Sequence, residues 1–179
     1  MKSSVFLYGN ISSLGGCRQW DRCEGELIRS EVEGEYLAMI RELRKADINI
    51  VADIWLDTNI KAHYFIPAQY WKRNLELVKE LLLQATVYVY EDNYEIQGFI
   101  GMNSEYIEGI FVSEAMQSQG IGKILLNYVK DTRSKLLLNV YQKNIPAISF
   151  YQREGFEIQY SGMDEATGEK DYVMVWQQK

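Results

Sequence analysis

A mixed α/β domain is predicted by three features of the sequence. Short runs rich in Val, Ile and Tyr alternate with longer stretches of helical period. Three strand-like segments follow one another between residues 86 and 112. The chain has 179 residues, 47% of them hydrophobic, which suits one well-filled core. The expected architecture is a central mixed β-sheet of about seven strands flanked by about four helices. A formal charge of −6 with no basic stripe argues against a nucleic-acid partner. Cys17 and Cys23 lack the second Cys or His pair of a zinc site or disulfide framework, and a lone His63 builds no metal centre, so no metal is expected. The longest apolar stretches, Leu81 to Leu83 and Val87 to Tyr90, fall far short of the roughly 20 residues of a bilayer span, so no membrane partner is expected. Leu14-Gly15-Gly16-Cys17 has some likeness to a lipoprotein cleavage site, but the apolar run before it, Val5 to Tyr8, is short and is followed by Asn10, Ser12 and Ser13. A cytoplasmic protein, monomer or homodimer, is the expectation.

Residues 1–38 show no sustained period and mix glycine with alternating charge, as in Asp21 to Gly34. They are expected to be an N-terminal extension, irregular or non-native, ahead of a domain over 39–179. Met39 is a candidate biological start, which abundant native peptides from residues 1–38 would refute. Met39 to Leu43 reads as a first strand. Asp47 is a candidate N-cap, and Ile48, Val51, Ile54 and Trp55 recur at helical spacing to about Thr58. A loop with His63 follows, and Pro67 opens a second helix whose stripe includes Tyr70, Leu75, Val78 and Leu82. Thr86 to Glu91, Ile96 to Met102 and Tyr106 to Val112 form an antiparallel meander, its first turn at Asp92-Asn93. A helix from Ile121 to about Arg133 leads to an apolar strand, Leu136 to Tyr141. Pro146 starts a short helix that Gly155 ends, and strands near Phe156 to Tyr160 and Tyr172 to Trp176 complete the order.

The central motif is Gln117-Ser118-Gln119-Gly120-Ile121-Gly122-Lys123, between an apolar strand and an amphipathic helix. Free amides at a helix start carry partial positive charge and wrap an anionic diphosphate, glycines let the backbone approach it, and Lys123 adds charge. A tight strand-to-helix turn is the plainer reading of the same letters. The dinucleotide fingerprint needs a third glycine where Leu125 stands, and the P-loop pattern is absent. Gln117, Gly120 and Gly122 match the [QR]-x-x-G-x-[GA] motif, and the loop resembles that of the GNAT superfamily of N-acetyltransferases, with Ile110-Phe111-Val112 as the strand before it.

A second element strengthens the resemblance. Asn144-Ile145-Pro146-Ala147-Ile148-Ser149-Phe150-Tyr151, continuing to Gly155-Phe156, is similar to the GNAT signature N-x-x-A-x-x-F-Y-x-x-x-G-F. Ala147 and Tyr151, four apart, share one helix face, so a small residue leaves room for pantetheine while the phenol faces the sulfur. A half-buried core tyrosine is the alternative for Tyr151 taken alone. From Met39 to Trp176 the chain resembles small bacterial members of the family through Ala62 to Ile66, Val140 to Asn144 and Val173 to Trp176.

The resemblance implies an acyl-CoA N-acyltransferase fold and acetyl-CoA as cosubstrate. Its diphosphate would lie on Ser118, Gln119, Gly120, Ile121, Gly122 and Lys123, and its pantetheine beside Ile110, Phe111, Val112, Asn144, Ala147 and Phe150. An amine attacks an acetyl carbonyl only when neutral, yet a lysine amine has an unperturbed pKa of about 10.4, so a base or water chain is needed. Glu108 is the candidate, acting through water; an ordinary solvent-facing strand Glu is the other reading. Direct transfer needs no covalent acetyl-enzyme, and strand amides around Ile110 to Val112 would hold the oxyanion. Tyr151 is the candidate donor to the leaving thiolate, whose pKa is roughly 8.5. The resemblance puts His63, Phe65 and Tyr106 beside the acceptor, with His63 as a proton shuttle near neutral pH or else a packing histidine. The expected acceptor is a primary amine, on a protein lysine or a small metabolite. A noncatalytic acyl-CoA-binding module and a structural interaction domain are the alternatives of other classes.

Overall fold

In the computed structural model the described residues are 38–178 together with the two-residue strand β1, Glu26–Leu27. Apart from β1 and Ala38, the expected irregular extension over residues 1–38 lies outside the described residues, as do Cys17 and Cys23. β1 runs antiparallel to β2, Met39–Glu42, where no strand was expected, because two residues are too few to show a period.

After β2, a 3₁₀ turn, Lys45–Asp47, leads into helix α1, Ile48–Ala62. Asp47 precedes that helix but caps the turn instead. Its carboxylate accepts from the Arg44 amide at 2.7 Å and from the Arg41 guanidinium at 2.6 Å. Arg41 also bonds Glu91 at 2.6 Å, forming a buried ion cluster under the start of the sheet. α1 runs one turn beyond the expected end at Thr58. Asn59 is fully buried within this added turn and donates its side-chain amide to the Trp55 carbonyl at 2.9 Å. Pro67 then precedes α2, Ala68–Leu82.

The meander is β3, Thr86–Asp92, β4, Glu95–Asn103, and β5, Tyr106–Val112. A second 3₁₀ turn, Glu114–Met116, opens the connection to α3, Ile121–Lys130. This helix stops three residues short of Arg133, where the Thr132 hydroxyl and the Thr132 and Arg133 amides turn back to helix carbonyls. β6, Lys135–Tyr141, α4, Ile145–Arg153, β7, Glu157–Met163, and β8, Lys170–Gln177, complete the chain. The strands lie in the order β1-β2-β3-β4-β5-β6-β8-β7. The sheet is therefore mixed, with β5 and β6 parallel, and its eighth strand beyond the expected seven is β1.

Alternation along the strands feeds two cores. Val87 and Val89 face α1 and α2, joining Val51, Trp55, Trp71 and Val78. Tyr88 and Tyr90 face the other way, with Ile100, Leu125, Leu138 and Tyr151 on the α3 and α4 side.

Candidate active site

β5 has two unlike neighbours. It pairs with β4 along its length, from Gly98↔Val112 to Asn103↔Tyr106. With β6 it pairs only at Tyr106↔Leu137, fastened by the Leu137 amide on the Glu105 carbonyl at 3.0 Å. Beyond that point the two parallel strands part and enclose a cleft between Ile107–Phe111 and Leu138–Tyr141. α1 closes one side through Thr58, Asn59 and Ala62, and α4 the other through Ala147 and Tyr151. Alternate amides of Ile110 to Val112 point away from β4, toward this opening.

Glu108 owes its position to a bulge. Gly101 pairs with Gly109 and Met102 with Ile107, so Glu108 is an extra residue on β5 with no partner on β4. Its side chain lines the cleft at 4% exposure, and Oε2 has no hydrogen-bond partner. A solvent-facing strand Glu is thereby ruled out. Burial pushes the carboxyl up to about 7, against a smaller opposing effect of a hydrogen bond from Asn103. A carboxylate so placed takes and returns a proton near neutral pH.

Tyr151 and Ala147 line the same cleft from one face of α4. The Tyr151 ring packs edge-on against Phe150 and Phe156 at 5.1 and 5.5 Å. Burial holds its phenol well above the usual range, so it keeps its proton and serves as a donor. Asn144 starts the helix. Its Oδ1 accepts the Ala147 amide at 3.3 Å, and its Nδ2 lies 3.1 Å from His63 Nε2.

His63 also lines the cleft, but not as a shuttle at neutral pH. It is 4% exposed, stacked on Trp71 at 5.4 Å, and burial lowers its pKa to about 4. With no carboxylate beside it, the ring is neutral in the range where a shuttle works. Phe65 and Tyr106 stand one layer back. Phe65 packs edge-on against His63 and Tyr141. The Tyr106 phenol, held up by burial and then by Glu108, donates to Asn139 Oδ1 at 2.9 Å. Asn139 lines the cleft and passes the chain to buried Asp171 at 2.6 Å. Asn59 and Asn139 were missed in the sequence. Asn59 carried a signal, lying four residues after Trp55 and four before His63 on one helix face.

The glycine loop sits at the cleft's outer end. Gly120 adopts φ +88° as the residue before α3, a conformation that a side chain would strain, and Ser118 shares the left-handed region at φ 62°. Gln117 Nε2 donates to the Val112 carbonyl at 3.1 Å, bracing the loop on β5, and Gln119 Nε2 donates to the Ala115 carbonyl of the 3₁₀ turn at 3.2 Å. The first helical bond is from the Ile124 amide to Gly120 O, leaving the Ile121, Gly122 and Lys123 amides without an intrahelical acceptor. A Cβ on Gly122 would reach 3.7 Å from Phe150 and 3.8 Å from Ile110, occupying the space above the strand end. Lys123, mostly exposed, lies 3.6 Å from Glu154 Oε1. These free amides and open backbone fit a diphosphate.

The "Acetyltransferase (GNAT) domain" family model matches residues 84–158, from just before β3 into β7. The chain is 35% identical over 140 residues to "Peptidyl-lysine N-acetyltransferase YiaC" of Escherichia coli K12, covering 77% of this chain and 96% of YiaC. The chain belongs to the GNAT acetyltransferase family. A further relative, "Peptidyl-lysine N-acetyltransferase YjaB" of Salmonella typhimurium LT2, is 29% identical over 120 residues, covering 66% of this chain and 83% of YjaB. The apo-form solution structure of YjaB from Escherichia coli superposes with a TM-score of 0.72 at 20% identity, covering 80% of this chain and 100% of that one. The structure of yncA from Salmonella typhimurium, solved with acetyl-CoA, gives 0.60 at 18% identity, with 79% and 94% covered. This GNAT domain therefore has the expected fold, and the bulged β5, the parted β6 and the loop before α3 all lie within the family match.

Proposed function

We propose that the protein transfers the acetyl group of acetyl-CoA directly to a primary amine, and that the amine is a lysine side chain of a protein. One observation carries the reading. A single cleft brings a buried carboxyl poised at about 7, Glu108, together with a protonated phenol, Tyr151. The two form an acid and base pair of the kind amine acetylation needs. The named activity of YiaC and YjaB supports lysine as acceptor. A groove beside the cleft, sharing Thr58 with it and lined by Asp53, Asp57 and Glu114, suits a cationic chain, although Lys61 engages Glu114 there.

In this mechanism the loop amides from Ser118 to Lys123 hold the diphosphate, and Ala147 leaves a channel for pantetheine between β5 and β6. Ile110, Phe111 and Val112 form one wall, and their cleft-facing amides hold the oxyanion as the carbonyl is attacked. Glu108 removes the proton that the incoming ammonium must lose, directly or through one water. Tyr151 donates its proton to the departing thiolate as the C–S bond breaks, and the second proton lost by the acylated nitrogen restores the phenol, so that the N-acetyl amine and coenzyme A thiol leave. Asn144 fixes the start of α4 and hence the phenol. Phe150 supports that helix face, while His63, Phe65 and Tyr106 shape the acceptor side as neutral groups. No metal enters the reaction scheme.

Residues 39–179 constitute the catalytic domain in this proposal, with residues 1–38 as an appendage to it. The bacterial origin of the relatives supports a bacterial setting, and the proposal extends to a cytoplasmic protein acting as monomer or homodimer. No helix among the described residues is long and apolar enough to cross a membrane. Thiol release from acetyl-CoA with a panel of lysine peptides and small amines, followed by mass spectrometry, tests the proposal. Acetyl on lysine supports it; no amine-dependent thiol release refutes it.

A further inference from the structure

We infer that Asn59 is the residue that grips the acceptor's nitrogen, holding one amine N–H on its side-chain oxygen while Glu108 takes the proton. The inference rests on the acetyltransferase reading above and names a site residue within it. Asn59 is fully buried near the end of α1 and lines the same cleft as Glu108 and Tyr151. Its Nδ2 donates to the Trp55 carbonyl at 2.9 Å, which fixes the amide orientation, since a flipped amide would set two oxygens against each other. Oδ1 then faces away from that carbonyl and has no partner. Glu108 Oε2 is the second unpartnered acceptor lining this cleft.

Buried acceptors without donors are costly, and a pair of them in one cleft calls for a guest that brings donors. An ammonium or amine brings two or three N–H groups and matches the pair. The thioester and thiolate bring none; the pantetheine amides do bring N–H groups, and a loss of coenzyme A affinity in an Asn59 variant would assign the oxygen to them instead. The two acceptors divide the work by charge. Glu108 exchanges a proton, whereas an amide oxygen accepts an N–H from ammonium and neutral amine alike. Asn59 therefore keeps the nitrogen in place after the proton has left, without the fixed negative charge that would hold the ammonium form. The indole N–H groups of Trp55 and Trp71 and the cleft-lining Nδ1 of His63 are buried and unpartnered as well, and none of them bonds Asn59 Oδ1. A purely structural role, with enclosed water joining these groups to Asn59, is the competing account.

Asn59→Leu separates the two, because it preserves the bulk and removes the oxygen. With acetyl-CoA and Nα-acetyl-lysine methylamide as probes, the KM for the lysine amide is expected to rise about tenfold, with coenzyme A affinity unchanged. A folded variant that binds coenzyme A and retains the wild-type KM overturns the assignment, whatever its melting temperature. Should Asn59→Leu fail to fold, the wild-type protein decides. The Asn59 side-chain amide signal in nitrogen-15 spectra is expected to move when the lysine amide joins the coenzyme A complex, and a stationary signal overturns the inference. Wild-type protein that acetylates no amine brings down the reaction as well, whereas a retained KM removes Asn59 alone.

Discussion

β4 and β6 flank the same strand and treat it in opposite ways. β4 takes up the backbone of β5 from Gly98↔Val112 to Asn103↔Tyr106, with Gly98 so close that a Cβ there would lie 2.7 Å from the Phe111 carbonyl. β6 meets β5 at Tyr106↔Leu137 and then leaves it. The closed side makes the sheet; the open side leaves backbone donors and buried polar side chains with work still to do. The same strand carries the bulge that turns Glu108 into the cleft, so one element supplies both the rigid support and the proposed base.

The sharpest way to break the open side is to remove its proton donor or acceptor. Tyr151→Phe is expected to lower kcat about 100-fold, with coenzyme A affinity retained in calorimetry. Unchanged turnover removes the phenol from the mechanism. Glu108→Gln is expected to lower kcat/KM by a similar or smaller factor, and to abolish a limb that rises with pH through about 7 in the wild-type enzyme. A variant profile that retains that limb assigns it to another group.

The loop comes next. At φ +88°, Gly120→Val strains the turn that presents the amides, and coenzyme A affinity is expected to fall about tenfold, measured by calorimetry. Affinity equal to wild type would mean that the loop geometry does not matter for binding.

Smaller effects lie in stability. Glu108 has its pKa raised from 4.5 to about 7 on folding, so between those values the folded protein holds a proton that the unfolded chain has lost. Its contribution therefore falls as pH rises through that window and is lowest above it. Glu108→Gln removes this slope and is expected to melt a few degrees above wild type at pH 8, with the advantage gone near pH 4. His63 gives the opposite slope. Its pKa falls from 6.5 to about 4 on folding, so stability declines as pH drops from about 6.5 toward 4. Asn144→Ala is expected to cost about 1 kcal/mol through the lost cap, read as a lower melting temperature.

The two sides of β5 were not equally legible in the sequence. Periodicity and turn residues located β3, β4 and β5, and the helices on either side, because those signals are local. The glycine loop and the Ala147–Tyr151 spacing were equally visible, since motif residues lie within one or two turns of each other. What stayed hidden depends on distant strands. The bulge at Glu108 follows from how β4 meets β5, and the parting of β5 from β6 from how two strands a helix apart fail to pair. Asn59 lies just past the expected helix end at Thr58, yet it is buried and continues α1. His63 stood open between a proton shuttle and a packing histidine, and only the packing of Trp71, Phe65 and Tyr141 around it decides for the second.

Hydrogen exchange with and without coenzyme A tests the difference between the two sides most directly. The cleft-facing amides of Ile110 to Val112 and the loop amides from Ser118 to Lys123 should slow when coenzyme A is added, while amides paired between β3 and β4 stay as they were. Saturating coenzyme A that slows neither set would contradict the parted strands as its binding site.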